Sequence, residues 1–288
     1  MKKGRGLRAY VEISNVCNLN CSFCPGTKRA PRVMSRSEFR LSCERLYGIA
    51  DELLFHVMGE PLCHPELDDL LKIAGEYGFK VSITTNGTLL DAKKDLLFDN
   101  VNVIKRVSIS LHSLEGNGKG DMDKYLSSAV SFAKRLASLG SFAVFRLWNL
   151  DSESALGKNS ENGKIESYLK EAYPGEWTKR YSGYRIAERT FLEYDGVFIW
   201  PSESELAPED EGSCHALRHQ IAVLADGTVV PCCLDSEGQM PLGNIFDTPL
   251  SDILKSETAV LMQKGFEEGR LYHPLCKKCS FRHRFNKE

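Results

Sequence analysis

Strand-like and helix-like segments alternate from residue 7 to residue 150, and this alternation narrows the fold more than any other feature of the chain. Leu7–Ser14 reads as a strand and Ser35–Ala50 as a helix, with Phe39, Cys43, Leu46 and Ile49 on one face. Leu53–Met58 is a nearly continuous apolar run of the kind buried parallel strands show. His64–Gly78 has a helical stripe of Leu67, Leu70, Leu71 and Ala74, closed by Gly78. Lys80–Thr85, Arg106–Leu111 and Phe142–Leu150 are predicted strands, with predicted helices at Asp91–Phe98 and Asp121–Leu139 between them. This order implies a parallel sheet with helices outside it, open or closed into a barrel, and places function at the carboxyl ends of the strands.

Past residue 150 the pattern changes. Residues 151–185 are rich in Ser, Gly, Asn and Glu and read as a polar insertion with one helix around Ile165–Tyr173. Val197–Trp200, ended by Pro201, reads as the last barrel strand, and Ser202–Gly212 as an acidic linker. Ile221–Leu224 and Val229–Val230 flank Asp226-Gly227, a strong hairpin signal. Thr248-Pro249 then opens a helix predicted to run to about Lys264. The expected architecture is α/β: a partial (β/α)6 TIM-like barrel over residues 1–205, followed by a small hairpin-plus-helix domain over residues 206–288.

Basic and acidic residues nearly cancel, 37 against 39, which speaks against nucleic acid or an anionic membrane as the main partner. The sequence shows no apolar run of transmembrane length and no signal-peptide pattern, so a cytoplasmic, thiol-reducing location is expected. The ten cysteines then call for an explanation other than disulfides. Three lie within residues 17–24 and five within 214–279, and clustered cysteines in a reducing compartment read as metal ligands.

Cys17, Cys21 and Cys24 have the spacing Cys-x3-Cys-x2-Cys. Three thiolates on one short loop suit three irons of a cubane and leave the fourth iron open, whereas zinc sites favour two Cys-x2-Cys pairs. In the second group, Cys276 and Cys279 form a Cys-x2-Cys clamp, and the hairpin brings Cys214 towards Cys232-Cys233. That makes four ligands and a spare, which on chemistry alone suits a zinc ribbon as well as an iron–sulfur cluster.

The first loop, with Phe23 just before its third cysteine, resembles the signature of the radical S-adenosylmethionine superfamily. The resemblance implies a [4Fe–4S] cluster on Cys17, Cys21 and Cys24 and S-adenosylmethionine chelated to its open iron. It further implies reductive cleavage to a 5′-deoxyadenosyl radical, with an electron donor such as flavodoxin or ferredoxin. Met58-Gly59-Glu60-Pro61 resembles the family's Gly-Gly-Glu-Pro segment, which holds the cofactor's amino group; Met58 departs from the first glycine. By the same resemblance Thr85, Asn86 and Ser110 fall at the ends of the third and fourth strands, where the family contacts the cofactor's ribose and carboxylate, and Arg146, near the end of the fifth strand, is a candidate to pair with a carboxylate through its planar fork. His56, His64 and His112 are read as structural, and Cys43 as a core residue.

The second group resembles the auxiliary extension known as SPASM, or its shorter twitch form, with Gly227 to Cys232 in the Gly-x4-Cys pattern. This implies one auxiliary [4Fe–4S] cluster on Cys214, Cys232, Cys276 and Cys279, with Cys232 preferred to Cys233. Two substrate classes follow from the resemblance: a peptide or protein side chain, favoured here, or a small alcohol or sugar that is dehydrogenated. Sixteen residues precede Cys17, so a peptide substrate is expected to need a separate recognition partner. A non-catalytic iron–sulfur or zinc protein is the rival of a different class, but a pure electron relay gains nothing from an open iron.

Overall fold

The computed structural model describes residues 6–118, 120–150, 159–197 and 199–285. Strand β1 (Leu7–Val11) is followed by α1 (Arg36–Leu46), β2 (Ala50–Phe55), α2 (Leu67–Glu76), β3 (Lys80–Thr85), α3 (Leu90–Asp99) and β4 (Ile104–Ser110). The short α4 (His112–Asn117) and long α5 (Met122–Ser138) lead to β5 (Phe142–Leu150). Next come α6 (Asn162–Ala172), β6 (Thr178–Arg180), β7 (Gly183–Ala187) and β8 (Thr190–Gly196). The C-terminal part contains β9 (Gln220–Val223), β10 (Thr228–Val230), β11 (Gly243–Asn244), α7 (Leu250–Ile253), α8 (Glu257–Glu267) and α9 (Pro274–Lys277).

Among the described residues these strands form one open sheet in the order β11-β10-β9-β1-β2-β3-β4-β5-β8-β7-β6. The neighbours from β1 through β5 to β8 all pair in parallel, giving the six strands of a partial (β/α)6 barrel. Strand alternation sorts their side chains. Ala9, Val11, Leu53, Phe55, Val81, Ile83, Val107, Ile109, Phe145 and Leu192 join the helices in one core. The opposite face lines the lumen, whose amino end carries Arg8, Glu52, Lys105, Arg106 and Glu193. Helix starts follow their capping chemistry. Ser35 and Glu38 form a reciprocal capping box on α1, and the Asp121 carboxylate accepts from the Asp123 and Lys124 amides on α5.

Several expectations need correction. The sixth barrel strand is β8, not Val197–Trp200; Phe198 lies outside the described residues, and Ile199 is 43% exposed. β8 alternates lumen-facing Phe191, Glu193 and Asp195 with core-facing Leu192, so its charges hide it from a search for apolar runs. The insertion's helix is present as α6, with residues 151–158 outside the description. The β6–β7 hairpin that follows has Tyr181-Ser182 at its turn, without the usual glycine-rich signal. The helix expected from Pro249 to Lys264 is broken at Leu254–Ser256, where Ser256 caps α8 by accepting from the Ala259 amide. The first strand ends at Val11, and Ser14 instead bridges to Val33. The expected C-terminal hairpin forms, but it does not stand apart: β9 pairs in parallel with β1 and extends the barrel sheet.

Candidate active site and metal centre

The loop after β1 carries Cys17, Cys21 and Cys24, the first and last exposed and Cys21 half-buried. Backbone and side-chain bonds seat it between α4 and the turn after β3. The Ser22 amide donates to the Gly116 carbonyl at 2.8 Å, the Asn20 amide to Asn117 Oδ1 at 3.0 Å, and Asn18 Nδ2 to Thr88 Oγ1 at 2.9 Å. Phe23 packs on His112, with ring centroids 4.8 Å apart, and over Gly116, where an added Cβ would meet its ring at 2.5 Å. Burial pushes the Cys21 thiol up to about 12, with the neighbouring Cys24 and Cys17 adding to the shift. A metal there displaces protons as it binds.

The turn after β2 lies directly against this loop. Gly59 has φ +78°, and a Cβ there would sit 2.4 Å from the Ser14 carbonyl oxygen, so only glycine fits. Glu60 is buried and uses both carboxylate oxygens. Oε1 accepts from the Leu62 amide at 3.0 Å and Oε2 from the Asn86 amide at 2.7 Å, tying the end of β2 to the end of β3. Burial raises its pKa, opposed by these bonds. Pro61 is buried at the first position of the turn that Glu60 caps. Thr85 is buried and accepts from the Gly87 amide through Oγ1, while Asn86 Nδ2 reaches Asn18 Oδ1 at 2.9 Å. Tyr125, from α5, donates its hydroxyl to the Asn86 carbonyl at 2.7 Å.

Ser110 ends β4 and pairs in register with Arg146, which sits in the middle of β5. Arg146 is 9% exposed, lies 3.3 Å over the Trp148 ring, and leaves Nε buried without a partner. Burial lowers its pKa to about 10, which keeps it charged at neutral pH. A buried cation with no hydrogen-bonded acid is costly unless an anion arrives, so this position fits the carboxylate of S-adenosylmethionine. Nearby, His56 Nδ1 and Trp148 Nε1 are also buried without partners. His64 is fully enclosed; Nε2 meets the Met34 carbonyl at 2.9 Å and Nδ1 accepts from the Glu66 amide. His112 meets the Arg146 carbonyl at 3.1 Å, and burial lowers its pKa to about 4, leaving it neutral. Cys43 is fully buried in the core.

Cys214, Cys232, Cys276 and Cys279 line one mostly apolar cavity with Pro201, Met240, Phe266 and Leu275. Burial raises all four thiols. Cys233 points elsewhere, to a small apolar cluster of Val57, Ala222, Leu224 and Val230 beside Tyr10, and shares a hydrogen bond with the Tyr10 hydroxyl. Among the described residues, no three His, Cys, Asp or Glu side chains converge closely enough to share one metal ion. Cubane ligands need no such convergence, because each thiolate binds its own iron. Sequence reasoning missed the buried Glu12 with its partner Arg29, and also Tyr10, Tyr125 and Trp148. None of them carries a local motif; long-range packing alone assembles them.

A family model described as the radical SAM superfamily matches residues 11–142, and one described as an iron–sulfur cluster-binding domain, SPASM, matches residues 214–280. The antilisterial bacteriocin subtilosin biosynthesis protein AlbA of Bacillus subtilis is 23% identical over 300 residues, covering 96% of this chain and 65% of AlbA. The chain thus spans just under two thirds of that relative. An S-adenosyl-L-methionine-dependent 2-deoxy-scyllo-inosamine dehydrogenase of Niallia circulans is 22% identical over 278 residues, covering 94% of this chain and 91% of the dehydrogenase. The crystal structure of Streptococcus suis SuiB bound to precursor peptide SuiA superposes with a TM-score of 0.61 at 16% identity, covering 98% of this chain and 73% of SuiB. The two matched domains imply S-adenosylmethionine and [4Fe–4S] clusters as cofactors. With its cysteine loop after β1, its Gly59-Glu60 turn after β2 and its C-terminal cysteine cavity, the chain belongs to the radical S-adenosylmethionine superfamily and carries a SPASM-type domain.

Proposed function

We propose that this chain cleaves S-adenosylmethionine reductively and removes a hydrogen atom from a side chain of a peptide or protein substrate. The observation that carries this reading is the open loop of Cys17, Cys21 and Cys24 set against the Gly59 turn, on a sheet whose β5 carries the buried Arg146 with its Nε unpartnered. The three thiols would hold the first cluster; the Gly59-Glu60-Pro61 turn would meet the cofactor's amino group, and Ser110 with Arg146 its carboxylate. Phe23, Thr85 and Asn86 would shape the floor beside its ribose. When bound there, cluster and cofactor supply a 5′-deoxyadenosyl radical, with one electron from a flavodoxin- or ferredoxin-type donor consumed and methionine released. That chemistry would take one hydrogen atom from a carbon of the substrate side chain. Cys214, Cys232, Cys276 and Cys279 would hold one auxiliary cluster within a C-terminal domain of residues 206–288, following a barrel domain of residues 1–205.

Two relatives support a peptide substrate: AlbA, named for bacteriocin biosynthesis, and SuiB, seen with a precursor peptide. A second reading, dehydrogenation of a small alcohol or sugar, is favoured by the inosamine dehydrogenase, which this chain matches over 91% of its length.

The test is anaerobic. Reconstituted protein should hold about eight irons, and a variant with Cys17, Cys21 and Cys24 changed to alanine about four. With dithionite and S-adenosylmethionine, only the wild type should form 5′-deoxyadenosine. Zinc in place of iron, or equal nucleoside from both proteins, would sink the proposal. Nucleoside formation stimulated by small polyols and not by peptides would move the substrate to the second reading.

A further inference from the structure

Glu12 follows β1 directly, and its side chain is fully enclosed. An ionised carboxylate in such a place is retained only where donors surround it. Three do, and they come from three separate parts of the molecule. Oε2 accepts from Arg29 Nη2 at 2.7 Å and from the Met58 amide at 3.1 Å, and Oε1 accepts from the Ala225 amide at 3.1 Å. Arg29 belongs to the loop that carries the first three cysteines, Met58 immediately precedes Gly59, and Ala225 is at the tip of the β9–β10 hairpin.

The hairpin tip is held from its other side as well. Arg32 Nε donates to the Ala225 carbonyl at 2.8 Å, and Arg29 Nε to the Ser236 carbonyl at 2.8 Å, close behind Cys232. One carboxylate and two arginines thus fasten the cofactor turn, the cysteine loop and the auxiliary hairpin to each other. The arrangement also accommodates Met58, since Glu12 takes only its backbone N–H and the buried side chain plays no part in that bond.

We propose that Glu12 is a positioning residue that sets the Met58-Gly59 backbone for S-adenosylmethionine and locks that turn to the tip of the auxiliary hairpin. The proposal rests on the reading that the Gly59-Glu60-Pro61 turn meets the cofactor. Its chemistry is that of charge-assisted bonds: a carboxylate offers two acceptor oxygens, whereas an amide offers one oxygen and turns a donor towards the other N–H.

The test uses reconstituted full-length protein with Glu12→Gln, close to Glu in size and shape. The S-adenosylmethionine dissociation constant is measured without reductant, and amide exchange across residues 221–230 is followed with and without the cofactor. The electron paramagnetic resonance spectrum of the reduced protein is recorded with and without S-adenosylmethionine. E12Q should keep its iron and bind the cofactor about ten-fold more weakly, the loss expected for one charge-assisted bond. Cofactor-induced protection of the hairpin tip, present in the wild type, should disappear, and the cofactor-induced spectral change should be smaller. Glu12→Asp, too short to reach all three donors, should fall between the two.

Wild-type cofactor affinity in E12Q would overturn the proposal, as would weakened affinity with hairpin protection intact. If E12Q fails to hold iron, Arg29→Gln, at the partly exposed end of the pair, carries the same measurements with the same expected and opposing outcomes. Wild-type protein that binds no S-adenosylmethionine would instead remove the reading of the site on which the proposal stands.

Discussion

Cys17 and Cys24 stand exposed on a loop at the carboxyl ends of the strands, whereas Cys214, Cys232, Cys276 and Cys279 are set among Pro201, Met240, Phe266 and Leu275. The loop carries and meets hydrogen-bonding groups, among them Asn18, Asn20, Asn86 and Thr88. The second group has mainly carbon around it. Burial raises thiol pKa values in both places, and it takes Cys232 well above its ordinary value. A metal bound in the cavity would have mainly apolar side chains around it, while one on the loop would leave room for a polar small molecule. The difference suits exchange at the first centre and retention at the second.

The largest expected effect separates the vicinal cysteines. Cys232→Ala should remove the roughly four irons of the cavity while leaving the loop's share in place, and Cys233→Ala should leave the iron count unchanged. Iron and sulfide analysis of the two variants, each compared with the wild type, decides this. If Cys233→Ala loses the iron and Cys232→Ala keeps it, the ligand assignment reverses. If both variants keep full iron, the cavity is not a cluster site and the contrast between the two centres collapses.

A pH titration sharpens the same contrast. Burial, opposed by the hydrogen bond to the Arg146 carbonyl and helped by the Arg146 charge, holds the His112 pKa down to about 4, against about 6.5 in an unfolded chain. Between those values the unfolded chain binds a proton that the folded chain refuses. His112 therefore costs nothing above about pH 6.5 and destabilises progressively as pH falls towards 4. At pH 5.5 the loss amounts to about 1.4 kcal/mol. Urea midpoints of the anaerobic holoprotein at pH 7.5 and 5.5 should show this loss in the wild type and not in His112→Asn. Equal pH dependence in the two proteins would mean that His112, beside the cysteine loop, is not held neutral by burial.

What could be read in advance follows from how locally each feature is encoded. The cysteine spacings, Phe23 and the Gly59-Glu60-Pro61 turn are contiguous in sequence, and strand order alone brings them to one end of the sheet. Strands β1 to β5 were legible because their core-facing residues are apolar and helices with clear stripes separate them. β8 was not, because a strand facing a polar lumen places Glu193 and Asp195 where a buried strand would have apolar residues. Nor was Glu12: its three donors lie 17, 46 and 213 residues away along the chain, and no window holds them together. The split between Cys232 and Cys233 depends on the pairing of β9 with β1, which brings Tyr10 next to Cys233.

The smallest effect asks whether the hydrogen-bonded surroundings of the first centre act on that centre alone. The Tyr125 ring is buried under the turn after β3, and its hydroxyl donates to the Asn86 carbonyl at 2.7 Å. Tyr125→Phe keeps the ring and its packing against the core but removes that donor, which costs about 1 kcal/mol. For a chain of this size that is a fall of about 2–4 °C in melting temperature. Asn86 is tied through its side chain to Asn18 in the cysteine loop, so loosening the turn should also weaken cofactor binding, by about five-fold or less on the same energy scale. Iron in the C-terminal cavity should not change, because among the described residues the Tyr125 hydroxyl bonds only the Asn86 and Ser110 carbonyls. A variant with the expected thermal shift but wild-type cofactor affinity would make Tyr125 a core residue only. One that also released cavity iron would show that the two centres are not held independently, and that the network through Glu12 and Ala225 transmits disturbance from one to the other.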